Sequence, residues 1–259
     1  MTRMPVVFAG HGSPMLAIED NETTGEFRRI GEEIIAKYGR PKAILAISAH
    51  WYTDGTFIQS TETPKQIYDM YGFPKELYEL SYPADGSQEL ADEIQKILGD
   101  KVQVDNEWGI DHGTWSVLVH MFPDADIPVV QLSIDGTLTS KESFELGEKL
   151  SSLREQGVLI FGSGNIVHNL HRIEPGNPGG STHTREFSDT IVEAVEKRDD
   201  AKVIGYEREP NAPYAVPTPE HFLPLLYVLG AAGDDKGRVF NNEHSMGSIS
   251  MAGFTFGLE

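Results

Sequence analysis

Five histidines stand where a chain usually places its chemistry. His11 lies in AGHGSP, His50 in ISAHW, His112 in DHGTW, His168 in GSGNIVHNL and His221 in TPEHF. Each sits at a junction between secondary-structure elements, and such junctions present side chains to ligands from a rigid frame. Neutral imidazole is the commonest metal ligand, and it titrates near neutral pH. Three or four imidazoles meeting in one crevice would bind Zn(II) or Fe(II), and one more nearby could carry protons. A single histidine after a strand is ordinarily a loop residue with a satisfied hydrogen bond, so the inference rests on the set. His120, in the apolar run SVLVHMF, reads as a packed helix residue. His171 would share a helical face with His168 and is a weaker candidate. His183 and His244 lie in polar surroundings and read as solvated.

The elements that must position the five follow from apolar patterning. Val6–Ala9, Ala43–Ser48, Ile127–Ile134 and Val158–Phe161 read as buried strands, with Val102–Val104 and Phe254–Phe256 as short additions. Glu26–Tyr38, Leu90–Leu98, Ser140–Leu153, Arg185–Val195 and Leu223–Leu229 read as helices, with Ser140 as the expected N-cap of the third. Strands alternating with helices indicate an α/β fold with a mainly parallel central sheet flanked by helices, and no composition break divides residues 1–259. In such a sheet the strand ends lie along one edge, so His11, His50 and His168 would converge in the crevice there. Gly10 and Gly12 would turn the chain sharply after the first strand, with Gly162 and Gly164 acting similarly near His168. Trp51–Pro83, Ile173–His183 and Tyr206–Pro219 are the long irregular stretches, and loops of that length are often functional.

Composition removes several function classes. Lys+Arg number 21 against 40 Asp+Glu, a net charge of −19. A surface that negative disfavours nucleic acid and anionic membrane as partners. Absence of cysteine removes disulfides, thiolate metal sites and cysteine nucleophiles. GxxxxGK[ST], HExxH and GxSxG are all missing. The first residues lack a signal-peptide core and no stretch reaches the ~20 apolar residues of a membrane span, so a cytoplasmic setting is the expectation. Trp51 and Trp115 read as core residues rather than pocket walls. Arg172 and Arg185 are candidates for gripping a substrate carboxylate, although loop arginines ordinarily face solvent.

GHGSPM, SAHW, YDMYGFPKELYELSYPA, DHGTW, GSGNIVHNL and PTPEHFLPLL together resemble the 4,5-DOPA extradiol dioxygenase family, within the class III, LigB-like ring-cleavage enzymes. The matching segments run from residue 10 to about residue 226. The resemblance implies a LigB-like fold, a catechol substrate cleaved with O2 to a muconic semialdehyde, and a divalent metal. Zinc is the metal commonly found in members, and Fe(II) serves ring cleavage in the class. It implies His11, His50 and His221 as metal ligands. His168 would do acid–base work or serve as a fourth ligand, and His112 would contact substrate or dioxygen. Related enzymes use a carboxylate as third ligand, which brings Glu220 into view. Neighbouring residues point about 100° apart on a helix, so Glu220 and His221 would not both hold one ion. A zinc-dependent hydrolase with His168 as general base, and a non-catalytic metal-binding module, are the alternatives.

Overall fold

The apolar runs are buried on both sides, as parallel strands covered by helices must be. The computed structural model describes residues 3–258, so Met1, Thr2 and Glu259 of the expected domain lie outside the described residues. Its strands are β1 (Val6–Gly10), β2 (Ala43–Thr53), β3 (Thr56–Ile58), β4 (Val102–Val104), β5 (Val129–Asp135), β6 (Val158–Gly164), β7 (Gly237–Phe240), β8 (His244–Ser245), β9 (Ile249–Ser250) and β10 (Gly253–Phe256). Its helices are α1 (Glu22–Tyr38), α2 (Lys75–Glu79), α3 (Gln88–Leu98), α4 (His112–Met121), α5 (Ser140–Leu150), α6 (Thr182–Lys197), α7 (Asp200–Ile204), α8 (Ala212–Ala215) and α9 (Leu223–Ala232).

The main sheet has eight strands in the order β4-β3-β5-β2-β6-β1-β10-β7. Its centre, β5-β2-β6-β1, is parallel throughout. Antiparallel pairing enters where β3 joins β5 and where β10 joins β1 and β7. Alternation along each strand divides the core in two. Val6, Phe8, Leu45, Ile47, Val130, Leu132 and Ile160 face Leu146, Leu150, Phe187 and the apolar length of α9. Val7, Ala9, Ile44, Ala46, Val129 and Phe161 face Phe27, Ile30 and Ile34 of α1 and Trp115 and Leu118 of α4. The expected α/β class with a mainly parallel sheet flanked by helices is what the chain forms. Among the described residues, no helix is long and apolar enough to cross a membrane.

Local chemistry moves several expected boundaries. Helix α1 begins at Glu22 rather than Glu26, because Asn21 and Thr24 form a reciprocal capping box ahead of the apolar stripe. The N-cap of α5 is Thr139, not Ser140: its hydroxyl accepts from Glu142 N–H, and Glu142 reaches back to Thr139 N–H. That helix ends at Leu150, and a 3-10 stretch carries the chain on to Gln156. Ser181 caps α6 and starts it at Thr182. Gly12 has φ +56° and makes the expected turn after β1, whereas Gly162 and Gly164 lie inside β6 and make no turn.

Candidate metal centre

The carboxyl ends of β1, β2 and β6 open on one edge, and the amino end of α4 and the turn before α9 meet them there. His11 follows β1 directly, its N–H bonded to Gly164 O of the neighbouring β6 at 3.1 Å. His50 lies within β2 rather than after it. Between Ile47↔Leu132 and Tyr52↔Ile134 the β2 register runs ahead of β5 by three residues, and His50 sits in that bulged segment. A bulge re-aims side chains that regular pleating would have sent elsewhere. His112 is the first residue of α4, whose cap is the buried Asp111. Gly113 permits the close approach: an added Cβ would lie 2.6 Å from Ser48 Oγ and 2.8 Å from His50 Cδ2. His168 is fixed by its N–H to Ala215 O at 2.9 Å and a bridge to Ile249, and His221 O accepts from Asn165 N–H at 2.9 Å.

All five histidines are brought together. Ring centroids of His11 lie 5.0 Å from His50, 5.9 Å from His112 and 5.3 Å from His221. His50 lies 3.8 Å from His112 and 5.1 Å from His221. His168 stacks on His221 at 3.5 Å with an interplanar angle of 6°. Nitrogens of His11, His50 and His112 all come within 4.8 Å of one another, which makes them the tightest group of three.

Hydrogen bonds assign the tautomers. Ser163 Oγ donates to Gly113 O at 2.5 Å, so toward His11 Nδ1, 2.9 Å away, it must accept. His11 therefore carries its proton on Nδ1 and a lone pair on Nε2. His50 Nδ1 meets Asp69 Oδ2 at 3.0 Å, which likewise leaves its lone pair on Nε2. Those two Nε2 atoms are 3.1 Å apart. Between neutral rings these lone pairs repel unless a cation, a proton or a metal ion, is shared between them. Zinc–nitrogen bonds of about 2.0–2.1 Å put two donors on one ion roughly 3–3.4 Å apart, so the spacing fits. His221 is buried with no hydrogen-bond partner at either ring nitrogen, and Glu220 Oε1 lies 3.4 Å from its Nδ1. Unpartnered buried donors and acceptors are costly, and a bound ion removes that cost. The neutral imidazole set thus suits a divalent cation.

The electrostatics keep most of the set uncharged. Burial, then the fields of the other histidines, push His11 well below the ordinary imidazole pKa. Burial and the neighbouring His168 do the same to His221. Burial, with His50 beside it, takes His168 to about 4. Burial also opposes charge on His50, but the Asp69 hydrogen bond and the Asp111, Asp69 and Glu220 charges outweigh it and raise its pKa. Asp69 is itself held well below the carboxylate range: burial opposes ionisation, and its contacts with His112 and His50 win.

Asp69 and Asp111 were not singled out in the sequence, although Asp69 lies within the YDMYGFP motif and Asp111 within DHGTW. Asp111 accepts from Ser48 Oγ at 2.7 Å, from Trp108 Nε1 at 3.3 Å and from Gln131 Nε2. His120 is packed as expected, donating to Leu16 O at 2.7 Å. His171 and Arg172 are exposed, and so is Arg185, which donates to Gly179 O and Gly180 O. His183 is exposed and stacks on Tyr214. His244 departs from the expectation of solvation: it is partly buried, with Nε2 enclosed, because Gly180 packs against its ring. Trp51 and Trp115 are buried, and Trp115 Nε1 donates to Ile67 O at 2.9 Å.

Residues 5–257 match the family described as the catalytic LigB subunit of aromatic ring-opening dioxygenase. The chain is 41% identical to the 4,5-DOPA dioxygenase extradiol of Escherichia coli strain K12, over 99% of this chain and 96% of that protein. It is 39% identical to the Beta vulgaris protein of the same name, over 96% of this chain and 95% of that one. The crystal structure of an uncharacterized Escherichia coli K12 protein is similar with a TM-score of 0.83 at 39% identity, over 98% of this chain and 100% of that chain.

Proposed function

The chain belongs to the LigB family of ring-opening dioxygenase catalytic subunits, and from that premise we propose that it is an extradiol dioxygenase. Its substrate would be a catechol such as DOPA, opened beside the diol with both atoms of O2 entering a muconic semialdehyde. The full-length relatives named 4,5-DOPA dioxygenase extradiol support the reaction class. The observation in this chain that carries the reading is the pair of imidazole nitrogens, His11 Nε2 and His50 Nε2, held 3.1 Å apart at the carboxyl edge of the sheet. In this reading residues 1–259 act as one catalytic unit.

His11, His50 and His221 would hold the metal. When bound, a divalent ion, Zn(II) or Fe(II), supplies positive charge that favours a deprotonated catechol, and iron adds the redox chemistry that O2 requires. His168, neutral at physiological pH because burial takes its pKa to about 4, can accept a hydroxyl proton from the bound catechol or orient it. His112, buried beside His50, would contact the substrate or dioxygen. One observation favours a second arrangement: His112 closes the tightest triad with His11 and His50, which would make it the third ligand.

Oxygen uptake tests the function. Protein stripped of metal and reconstituted anaerobically with Fe(II) should consume O2 with DOPA, caffeate or protocatechuate and release a yellow semialdehyde, while the zinc-loaded protein should not. Ester or amide hydrolysis by the zinc form, with no uptake from a verified iron-loaded site, would transfer the assignment to a hydrolase.

A further inference from the structure

We propose that Asp69 is a shared positioning residue, whose two carboxylate oxygens fix the ring tautomers of His50 and His112 together and so aim both Nε2 atoms at the centre. The proposal rests on the ring-cleavage reading only for the name of what binds there; the tautomer claim stands on the geometry. Oδ2 meets His50 Nδ1 at 3.0 Å. Oδ1 accepts the His112 backbone N–H at 3.1 Å and lies 2.9 Å from His112 Nδ1. That second ring contact is bent away from hydrogen-bond geometry, since His112 Nδ1 has no aligned partner. A carboxylate still repels a lone pair at such a distance, so the proton sits on Nδ1 there too. An ionised carboxylate offers acceptors only, and each imidazole it faces is left with its one lone pair on Nε2. Histidine ligands commonly have their second nitrogen held in this way, and losing the partner weakens metal binding. Asp69 differs in holding two rings 3.8 Å apart with one side chain.

The place of Asp69 is built without its carboxylate. Ile67 N–H donates to Ile110 O at 2.8 Å, and Trp115 Nε1 donates to Ile67 O at 2.9 Å. On the other side Tyr68 Oη donates to Leu80 O at 2.6 Å, and Gln66 Oε1 accepts Tyr82 N–H at 2.7 Å. The Trp51–Pro83 stretch is therefore pinned to the segment that opens α4, and it delivers Asp69 between a strand histidine and a helix histidine. A change at Asp69 alone leaves these anchors in place.

Asp69→Asn is the informative variant, because it keeps size and shape. Its amide presents an oxygen to one imidazole and an NH2 to the other, and two facing N–H groups force one ring to change tautomer or turn away. Zinc affinity, measured by competition with a chromophoric chelator, should fall by about 10–100-fold. Long-range 15N–1H spectra of the metal-free protein should show Nδ1–H on His50 and His112 in the wild type, and a changed tautomer on one of them in the variant. A melting temperature close to wild type would accompany both results. Zinc affinity within about twofold of wild type together with unchanged tautomers would overturn the proposal. Failure of the functional reading looks different: a verified iron-loaded wild type would then take up no oxygen with catechols, and the zinc affinities and tautomer spectra would still decide the role of Asp69.

Discussion

The five histidines form two groups that are built differently. His11, His50 and His112 are each oriented from behind. Ser163 stands at His11 Nδ1, and Asp69 stands at His50 Nδ1 and His112 Nδ1. His11 directly follows a strand, His50 lies within one, and His112 opens a helix. His168 and His221 come from loops, lie flat on one another at 3.5 Å, and His221 has no hydrogen-bond partner at either nitrogen. Burial depresses the pKa of both. The first group has its lone pairs aimed in advance by fixed partners. The second is held neutral by desolvation, which leaves its nitrogens free to take a proton or an ion. Preorganisation and availability are separate requirements of one site, and here separate elements of the fold meet them.

The largest effects should separate the metal ligands from the other histidines by metal content. His11→Ala removes an oriented donor, and purified protein should lose stoichiometric metal and all ring cleavage. His168→Ala should retain metal and lose about 10²–10⁴-fold in turnover, the range for a general acid–base group. Metal analysis beside turnover checks both. Metal loss from His168→Ala would make that residue a ligand rather than an acid–base group. His221→Ala and His112→Ala rank the third ligand in the same assay: the proposed set requires loss from the first and retention by the second.

The pH dependence of stability probes the second group directly. Burial takes the His168 pKa in the folded protein to about 4, against 6.5 for an ordinary imidazole. Between those values the unfolded chain binds a proton that the folded chain refuses, so stability rises with pH across the window and is lost as pH falls through it. His11 and His221 are shifted in the same direction, whereas the raised pKa of His50 works the opposite way. The metal-free protein should melt at lower temperature as the pH is taken from 6.5 towards 4. His168→Gln should make that slope shallower, by up to about 1.4 kcal/mol per pH unit. An unchanged slope would mean that the folded protein lets the ring protonate, contrary to a neutral stacked pair.

The sequence made the sheet legible because buried parallel strands are short apolar runs, and AILAIS and VLIF are unbroken. It made the five histidines legible because strand ends in a parallel sheet share an edge. The bulge that turns His50 inward left no signal, since it depends on register against β5 rather than on residue type. Asp69 was hidden for a related reason. It lies in a long loop whose place is fixed by backbone contacts to Ile110 and by Trp115, and no periodicity reports such contacts. The α5 cap was misplaced by one residue because Thr139 and Ser140 are both capping types. What decided it was the reciprocal bond from Glu142, three residues beyond Thr139.

Glu220 gives the smallest expected effect and the sharpest test of the second group. It is the carboxylate nearest His221, with Oε1 3.4 Å from Nδ1, yet it is part exposed and already accepts from Thr218 Oγ1 at 2.7 Å. Asp69, by contrast, is enclosed between two rings. A partly solvated contact at that distance is weak, typically below about 1 kcal/mol, so Glu220→Gln should change zinc affinity by less than about fivefold. If Glu220→Gln empties the site while His221→Ala does not, the third ligand is the carboxylate. Its charge would then replace the neutral imidazole in the donor set, and His221 would become the partner against which His168 is held neutral. If His221→Ala empties the site and Glu220→Gln leaves it filled, one of the two unpartnered nitrogens of His221 is explained by the ion it holds.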